Sequence, residues 1–152
     1  TSNWDFLLTL ALIHQFDLPL RYMVKDQVFK GPWSGLLKSL GAVPIDRSRR
    51  VNVVDSTIEA IQKTPEIVIG ILPEGTRKRT EYWKSGFYHI AFGAGIPLVL
   101  AKVDSPSKTV TLGPRIELTG DKEADMARIA EYFADAVAIY PDCFGPVRLK
   151  PE

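Results

Sequence analysis

Two arginines and a glycine-containing turn are the residues of this sequence best suited to chemistry, because together they could bind a phosphate group. Arg47 and Arg77 each lie a few residues after an apolar run that predicts a strand. A guanidinium offers two parallel N–H donors that fit the oxygens of a phosphate. Gly75 lets a backbone N–H approach an anion closely, and Thr76 adds a hydroxyl donor. Taken alone, this turn is equally consistent with a plain connection between two elements.

The elements that position these residues are predicted from hydrophobic patterns. Strands are predicted at 21–24, 43–45, 66–72 and 97–103, with edge strands at 109–112 and 115–118. Helices are predicted from a cap at Ser2 or Asn3 to before Asp17, at 32–40, 52–63 and 85–94, and from Asp121 toward Ile139. Since strands alternate with helices, we predict an α/β fold with a largely parallel β-sheet flanked by helices. The length of 152 residues suits a single domain spanning 1–152.

Ligands of open α/β sheets bind beyond the carboxyl ends of the strands. Asp5, at the start of the first predicted helix, is therefore expected to line one cleft with Arg47 and with the turn at 74–77. By itself, Asp5 is also explained as a first-turn acid that complements the helix dipole.

The order of these segments resembles the glycerolipid acyltransferase family, whose best-known members acylate lysophosphatidic acid. The four sequence blocks of the family are represented in order within residues 1–104. Thr1–Asp5 matches the end of a block made of a histidine, four residues and an aspartate. Gly41–Arg47 resembles Gly-x-x-x-x-Asp-Arg, and Leu72–Arg77 resembles Phe-Pro-Glu-Gly-Thr-Arg with leucine in place of phenylalanine. Gly95–Val99 supplies the proline in a hydrophobic strand. The resemblance implies a glycerol-3-phosphate acyltransferase-like fold.

The resemblance also implies roles for individual residues. The block-one histidine would remove the proton of the attacking hydroxyl, and Asp5 would fix the tautomer of its ring. That histidine belongs directly before Thr1, so we expect the chain to be N-terminally truncated just after its catalytic base and to be inactive by itself. We expect neither His14 nor His89 to replace it. The residues implied to bind the acceptor are Arg47, Glu74, Gly75, Thr76, Arg77 and Lys84, the last in a Lys-Ser-Gly-Phe stretch.

The implied reaction moves a fatty acyl group from acyl-CoA or acyl carrier protein to a hydroxyl of a lyso-glycerophospholipid such as lysophosphatidic acid, in phospholipid biosynthesis. No cofactor besides the acyl donor is expected, and no metal-ligand set or dinucleotide fingerprint is present in the sequence. Two alternatives stay open. One is the same reaction on another lyso-lipid, and the other is a non-catalytic lipid- or anion-binding pseudoenzyme. Glu74 would orient an arginine or contact an acceptor hydroxyl, or else form a structural salt bridge.

Charge and cysteine content bear on partners and location. The net charge of +1 gives no reason to expect nucleic acid as a partner. Residues 21–84 carry 12 Lys and Arg against 7 Asp and Glu, whereas residues 104–152 carry 6 against 9. This asymmetry suits an anionic ligand or a negative membrane surface, although solvated faces that happen to differ would explain it equally well. Cys143 is the one cysteine, which favours a reducing compartment. We therefore expect a peripheral protein on the cytoplasmic face of the membrane.

Overall fold

The structure is a computed structural model that describes residues 20–25, 29, 31, 34–39, 41–45, 53–64, 67–76 and 78–151. Backbone contacts divide the chain into two compact units, one formed by Asn3–Ile71 and the other by Thr1–Ser2 with Leu72–Glu152. A single domain over 1–152 stays a prediction.

The described part of Asn3–Ile71 is built around a three-stranded parallel sheet. Its strands are β1 (Leu20–Lys25), β2 (Ala42–Ile45) and β3 (Val68–Ile69), in the order β2-β1-β3. Both pairings are parallel, and parallel neighbours need long connections because the chain must return to the same end of the sheet. In chain order, helix α1 (Ser34–Ser39) comes between β1 and β2, and helix α2 (Val53–Lys63) comes between β2 and β3.

Helix boundaries in this unit follow local sequence signals. Gly41, predicted to stop α1, has a φ of 88°, which is a conformation that glycine adopts without a steric penalty. Helix α2 carries Asp55 in its first turn and Lys63 in its last turn, as its dipole favours. The strand predicted over 66–72 is shorter than expected. Among the described residues of this segment, Val68 and Ile69 pair with Leu20 and Arg21 of β1, whereas Tyr22–Lys25 of β1 pair with β2.

The unit from Leu72 onward contains a helix, a hairpin and a second helix. Helix α3 (Gly86–Ala94) ends at Gly95, whose φ of 66° and N–H bond to a carbonyl of the last turn form the cap. Strands β4 (Leu98–Asp104) and β5 (Thr109–Ile116) pair antiparallel. Helix α4 (Lys122–Phe133) follows.

The hairpin corrects part of the predicted fold. An α/β arrangement is present, but the described strands form two sheets, and β4 does not extend a parallel sheet as predicted for residues 97–103. The connection of four residues between β4 and β5 accounts for the antiparallel pairing of these two strands, since a parallel crossover needs a dozen residues or more. The two predicted edge strands are one strand, and α4 ends at Phe133 rather than near Ile139.

The core of this unit forms between α3, α4 and the hairpin. Trp83 packs edge-to-face against Phe87 and Phe133, with ring centroids 6.0 and 5.7 Å away. The other buried apolar residues of the unit are Tyr88, Ile90, Ala91, Leu100, Ile116, Met126 and Ile129. Trp83 directly precedes Lys84, so this core fixes the backbone at one end of the polar loop that carries the predicted site.

Candidate functional site

The predicted site residues divide into two groups. Glu74, Gly75, Thr76 and Lys84 are described and lie in the same compact unit. Asp5, Arg47 and Arg77 lie outside the described residues, so the predicted common cleft is not tested.

A tight turn follows directly after Leu72. The N–H of Gly75 donates to the carbonyl oxygen of Leu72 over 3.2 Å, and Gly75 has a φ of 64°. A residue with a β-carbon is strained in this left-handed conformation, so the turn requires glycine. The hydroxyl of Thr76 then accepts a hydrogen bond from the N–H of Lys78 over 3.2 Å. Glu74 is half-buried, while Gly75 and Thr76 are exposed.

Lys84 lies beside this turn, although it follows Thr76 by eight residues in the sequence. Its N–H donates to the carbonyl oxygen of Pro73 over 2.8 Å, which closes the loop. Its side-chain stem lies over Gly75: an added β-carbon on that glycine would be 3.2 Å from Cγ and 3.7 Å from Cε of Lys84. The structure therefore brings together Gly75 and Lys84, two residues that the sequence assigned to one site. An exposed ammonium, an exposed hydroxyl and a glycine turn in one place could bind an anion.

Helix α3 begins two residues after Lys84, at Gly86, and is fixed by a buried carboxylate that sequence reasoning missed. Asp125 of α4 is fully buried, and its carboxylate accepts a hydrogen bond from the hydroxyl of Tyr88 in α3 over 2.8 Å. It also accepts from the N–H of Thr119 (2.9 Å), the hydroxyl of Thr119 (3.0 Å) and the N–H of Gly120 (3.3 Å). Arg128 forms an ion pair with the same carboxylate. The charge is thus compensated by several donors, as burial requires.

This network shifts the pKa values of two groups, the Asp125 carboxyl and the Tyr88 hydroxyl. Burial alone would raise the pKa of the Asp125 carboxyl, but hydrogen bonds from Tyr88, Arg128 and Thr119 lower this pKa to about 2. Burial and the hydrogen bond to Asp125 raise the pKa of the Tyr88 hydroxyl to about 12. The available sequence signal was an acid on the apolar stripe of α4, since Asp125 precedes Ile129 by one helical turn. We assign the network a structural role, because the hydroxyl and the carboxylate are buried and satisfy each other.

The described residues contain no group of three or more His, Cys, Asp and Glu side chains arranged to hold a metal ion. None of the helices in the described ranges combines the length and the apolar character needed to cross a bilayer. His89 is exposed on α3, and Cys143 is a free thiol.

Comparisons with known proteins agree with the motifs around this turn. The sequence model of the family described as Acyltransferase matches residues 1–101. The 1-acyl-sn-glycerol-3-phosphate acyltransferases of Salmonella typhimurium and Salmonella typhi are each 31% identical to this chain over 118 residues. These alignments cover 73% of this chain and 46% of each relative, so the chain spans about half the length of the curated relatives it matches.

A solved structure is also similar. The crystal structure of the 1-acyl-sn-glycerophosphate (LPA) acyltransferase from Thermotoga maritima matches with a TM-score of 0.47 and 17% sequence identity. The match covers 79% of this chain and 59% of that chain.

Proposed function

Because this chain belongs to the acyltransferase family, we propose that it transfers a fatty acyl group to a hydroxyl of a lyso-glycerophospholipid such as lysophosphatidic acid. The donor is acyl-CoA or acyl carrier protein. The reaction belongs to phospholipid biosynthesis and uses no cofactor besides this donor.

One observation carries the proposal: Lys84 lies over the glycine turn of the Pro-Glu-Gly-Thr-Arg motif. Two segments that resemble separate parts of the family pattern are therefore adjacent in the fold. An ammonium and a glycine turn form a setting for a phosphate, and a phosphate distinguishes lysophosphatidic acid from a neutral monoacylglycerol. Arg77 follows Thr76 directly in sequence. We assign Arg77 and Arg47 to the same phosphate, with Glu74 orienting a guanidinium or contacting an acceptor hydroxyl.

The chemistry follows from an alcohol being a weak nucleophile. We assign the removal of the hydroxyl proton to the histidine of the family's first block, as the oxygen attacks the thioester carbonyl, and we assign the stabilisation of the imidazolium that forms to Asp5. The new carbon–oxygen bond forms, the carbon–sulfur bond breaks, and the proton passes to the departing thiolate. No covalent acyl-enzyme is required. The acceptor and the product are membrane lipids, so we place the protein peripherally on the cytoplasmic face of the membrane.

A substrate panel tests this function. The whole polypeptide, including the residue before Thr1, is assayed with lysophosphatidic acid, other lyso-phospholipids and monoacylglycerol, each with acyl-CoA and with acyl carrier protein as donor. We expect turnover with lysophosphatidic acid and little with monoacylglycerol, because monoacylglycerol lacks the phosphate.

A control variant accompanies the panel. Alanine in place of the histidine that corresponds to the family's first block should lower turnover by about 10²–10⁴-fold, as expected for loss of a general base. Binding of lyso-lipids without turnover by the whole polypeptide would indicate a pseudoenzyme instead. Equal turnover with monoacylglycerol would show that recognition of the acceptor does not depend on its phosphate.

A further inference from the structure

The segment Phe144–Leu149 lies along the loop Arg79–Trp83, which separates the glycine turn from Lys84. The N–H of Trp83 donates to the carbonyl oxygen of Arg148 over 2.8 Å, and Trp83 and Leu149 form a parallel β-bridge. The backbone immediately before Lys84 is therefore hydrogen-bonded to a segment more than 60 residues away in sequence.

The contact continues along the loop in the direction of the turn. Arg79 donates from Nη1 to the carbonyl oxygen of Phe144 over 2.7 Å. Gly145 is buried, and a β-carbon added to it would be 2.0 Å from the carbonyl oxygen of Thr80. That distance is far inside any allowed contact between atoms, and the obstacle is backbone. The two segments thus approach so closely that only glycine fits at position 145.

The Arg148 side chain binds the middle of the loop in three ways. Its Nη2 lies 3.0 Å from Oε2 of Glu81, and its Nε donates to the carbonyl oxygen of Glu81 over 3.2 Å. Its guanidinium carbon lies 5.0 Å from the ring centroid of Tyr82, within the range of a cation–π contact. The side chains of Arg148 and Glu81 are 54% and 60% exposed. An ion pair with this exposure adds little to global stability, so its effect is local to the loop.

We propose that Phe144–Leu149 is a strap that holds the loop in place, with Arg148 as a positioning residue for acceptor binding. The loop begins after the Thr76 turn and ends at Lys84, whose N–H is bonded to Pro73. Fixing Arg79–Trp83 from outside therefore fixes Lys84 over Gly75. The strap lies beyond residues 1–101, the part that matches the family. The positioning role rests on the proposed function, whereas the strap as a structural device does not.

Four variants of the whole polypeptide test the strap, and Gly145→Ala is one of them. Arg148→Ala removes the side-chain contacts, and Arg148→Lys keeps the charge but loses the guanidinium fork. Arg115→Ala is the matched control, because Arg115 of β5 also forms an exposed ion pair, with its Nη2 2.6 Å from Oε1 of Glu117. Two quantities are measured for each variant: hydrogen exchange of the amides at 78–84, and the KM of each substrate varied separately.

We expect Arg148→Ala to speed exchange at Trp83 and Lys84 and to raise the acceptor KM by about tenfold, since misplacement of a binding group by a fraction of an ångström has effects of this order. The donor KM and the melting temperature should stay unchanged. Arg148→Lys should recover part of the acceptor KM, and Arg115→Ala should match the wild type. Gly145→Ala, which displaces the strap backbone, should speed exchange and raise the acceptor KM more strongly. It should also lower the melting temperature, because the added β-carbon would lie 2.0 Å from the carbonyl oxygen of Thr80.

The two readouts separate the strap from the proposed function. Unaltered exchange at Trp83 in both Arg148→Ala and Gly145→Ala would overturn the strap. Faster exchange with an unaltered acceptor KM, or with equal changes in both KM values, would overturn the positioning role. A wild-type protein without acyltransferase activity would contradict the proposed function and the positioning role together, and exchange would still decide whether the strap orders the loop.

Discussion

The side-chain stem of Lys84 lies against Gly75, such that a β-carbon on Gly75 would be 3.2 Å from Cγ of Lys84. Two features produce this contact. Gly75 has a left-handed backbone, and the N–H of Lys84 is bonded to Pro73. The stem therefore has a packing role, while the exposed ammonium beyond it is available to a ligand.

Lys84→Met separates these two roles. Methionine keeps an unbranched apolar stem over Gly75 and removes the charge. We expect the melting temperature to stay within about one degree, because exposed substitutions of this kind change stability by less than about 0.5 kcal/mol. The acceptor KM should rise by about tenfold, as expected for loss of one charge-assisted contact. Kinetics and a thermal melt of the same preparation measure both quantities. A lower melting temperature with unchanged kinetics would assign Lys84 a structural role only.

Gly75→Ala tests the conformation of the turn. We expect a loss of about 1–2 kcal/mol in unfolding free energy, because the left-handed conformation is strained for alanine. The added methyl group would also push the flexible Lys84 stem aside, so the acceptor KM should rise as well.

The control for this substitution is Gly35→Ala, in an exposed position of α1. Apart from the adjacent residues and the helix backbone, no atom of the described residues lies within 4 Å of the added β-carbon. There alanine should stabilise by about 0.5–1 kcal/mol, because glycine is costly inside a helix. Chemical denaturation of both variants gives the comparison. Equal effects of the two substitutions would contradict the account of the turn.

The Asp125–Tyr88 network predicts the pH dependence of stability. The pKa of Asp125 is lowered from 3.8 to about 2, so the folded state holds the carboxylate more strongly than the unfolded state does. Its contribution is present above pH 4 and is lost as the pH falls through 2. The pKa of Tyr88 is raised from 10.0 to about 12, so its contribution is present below pH 10 and is lost as the pH rises toward 12.

Asp125→Asn measures this contribution. We expect it to lower the unfolding free energy at pH 7 by about 1.5–3 kcal/mol, because charge-assisted hydrogen bonds are lost, and to flatten the acid limb between pH 4 and pH 2. Asp135→Asn is the control, since Asp135 is 78% exposed in its ion pair with Lys102 and should matter much less. Denaturant unfolding at several pH values decides the question. An acid limb that is as steep in Asp125→Asn as in the wild type would assign the effect to another group.

Hydrophobic periodicity and glycine stops predicted most of the elements. Helices α1, α2 and α3 and strands β1 and β2 lie where the sequence placed them, with Gly41 and Gly95 as stops. These features depend on local spacing and local backbone conformation, which a sequence states directly.

The antiparallel pairing of β4 with β5 was not predicted, although the four-residue connection between the two strands is a local signal. Gly113 and Pro114 interrupt the apolar pattern and suggested two strands, yet β5 runs through them. The register shifts there: Val99 pairs with Arg115 and Ala101 with Leu112, which leaves two residues opposite one. A bulge of this kind accommodates a proline that cannot donate to its neighbour. Which strand a segment pairs with decides the register and the direction of the pairing, and the sequence alone does not indicate that strand.

In the candidate site, too, some residues could be assigned from the sequence and others could not. The motif resemblance predicted that Gly75 and Lys84 belong together, and the structure places them in contact. Neither Asp125 nor Arg148 could be assigned from the motifs, because their partners lie in distant segments such as α3 and the loop at Glu81. Nothing in the sequence of the proline-containing tail indicates which loop it contacts.

The central claim, recognition of the acceptor phosphate by the Glu-Gly-Thr-Arg turn, is tested most directly by steady-state kinetics of Arg77→Ala with each substrate varied separately. We expect the acceptor kcat/KM to fall by about 10–100-fold, the equivalent of about 1.5–3 kcal/mol for a lost charge-assisted bond, with the donor KM nearly unchanged. Arg77→Lys should recover only part, because an ammonium lacks the guanidinium fork. Equal losses for both substrates together with a lower melting temperature, or unaltered acceptor kinetics, would contradict the assignment of Arg77 to the phosphate.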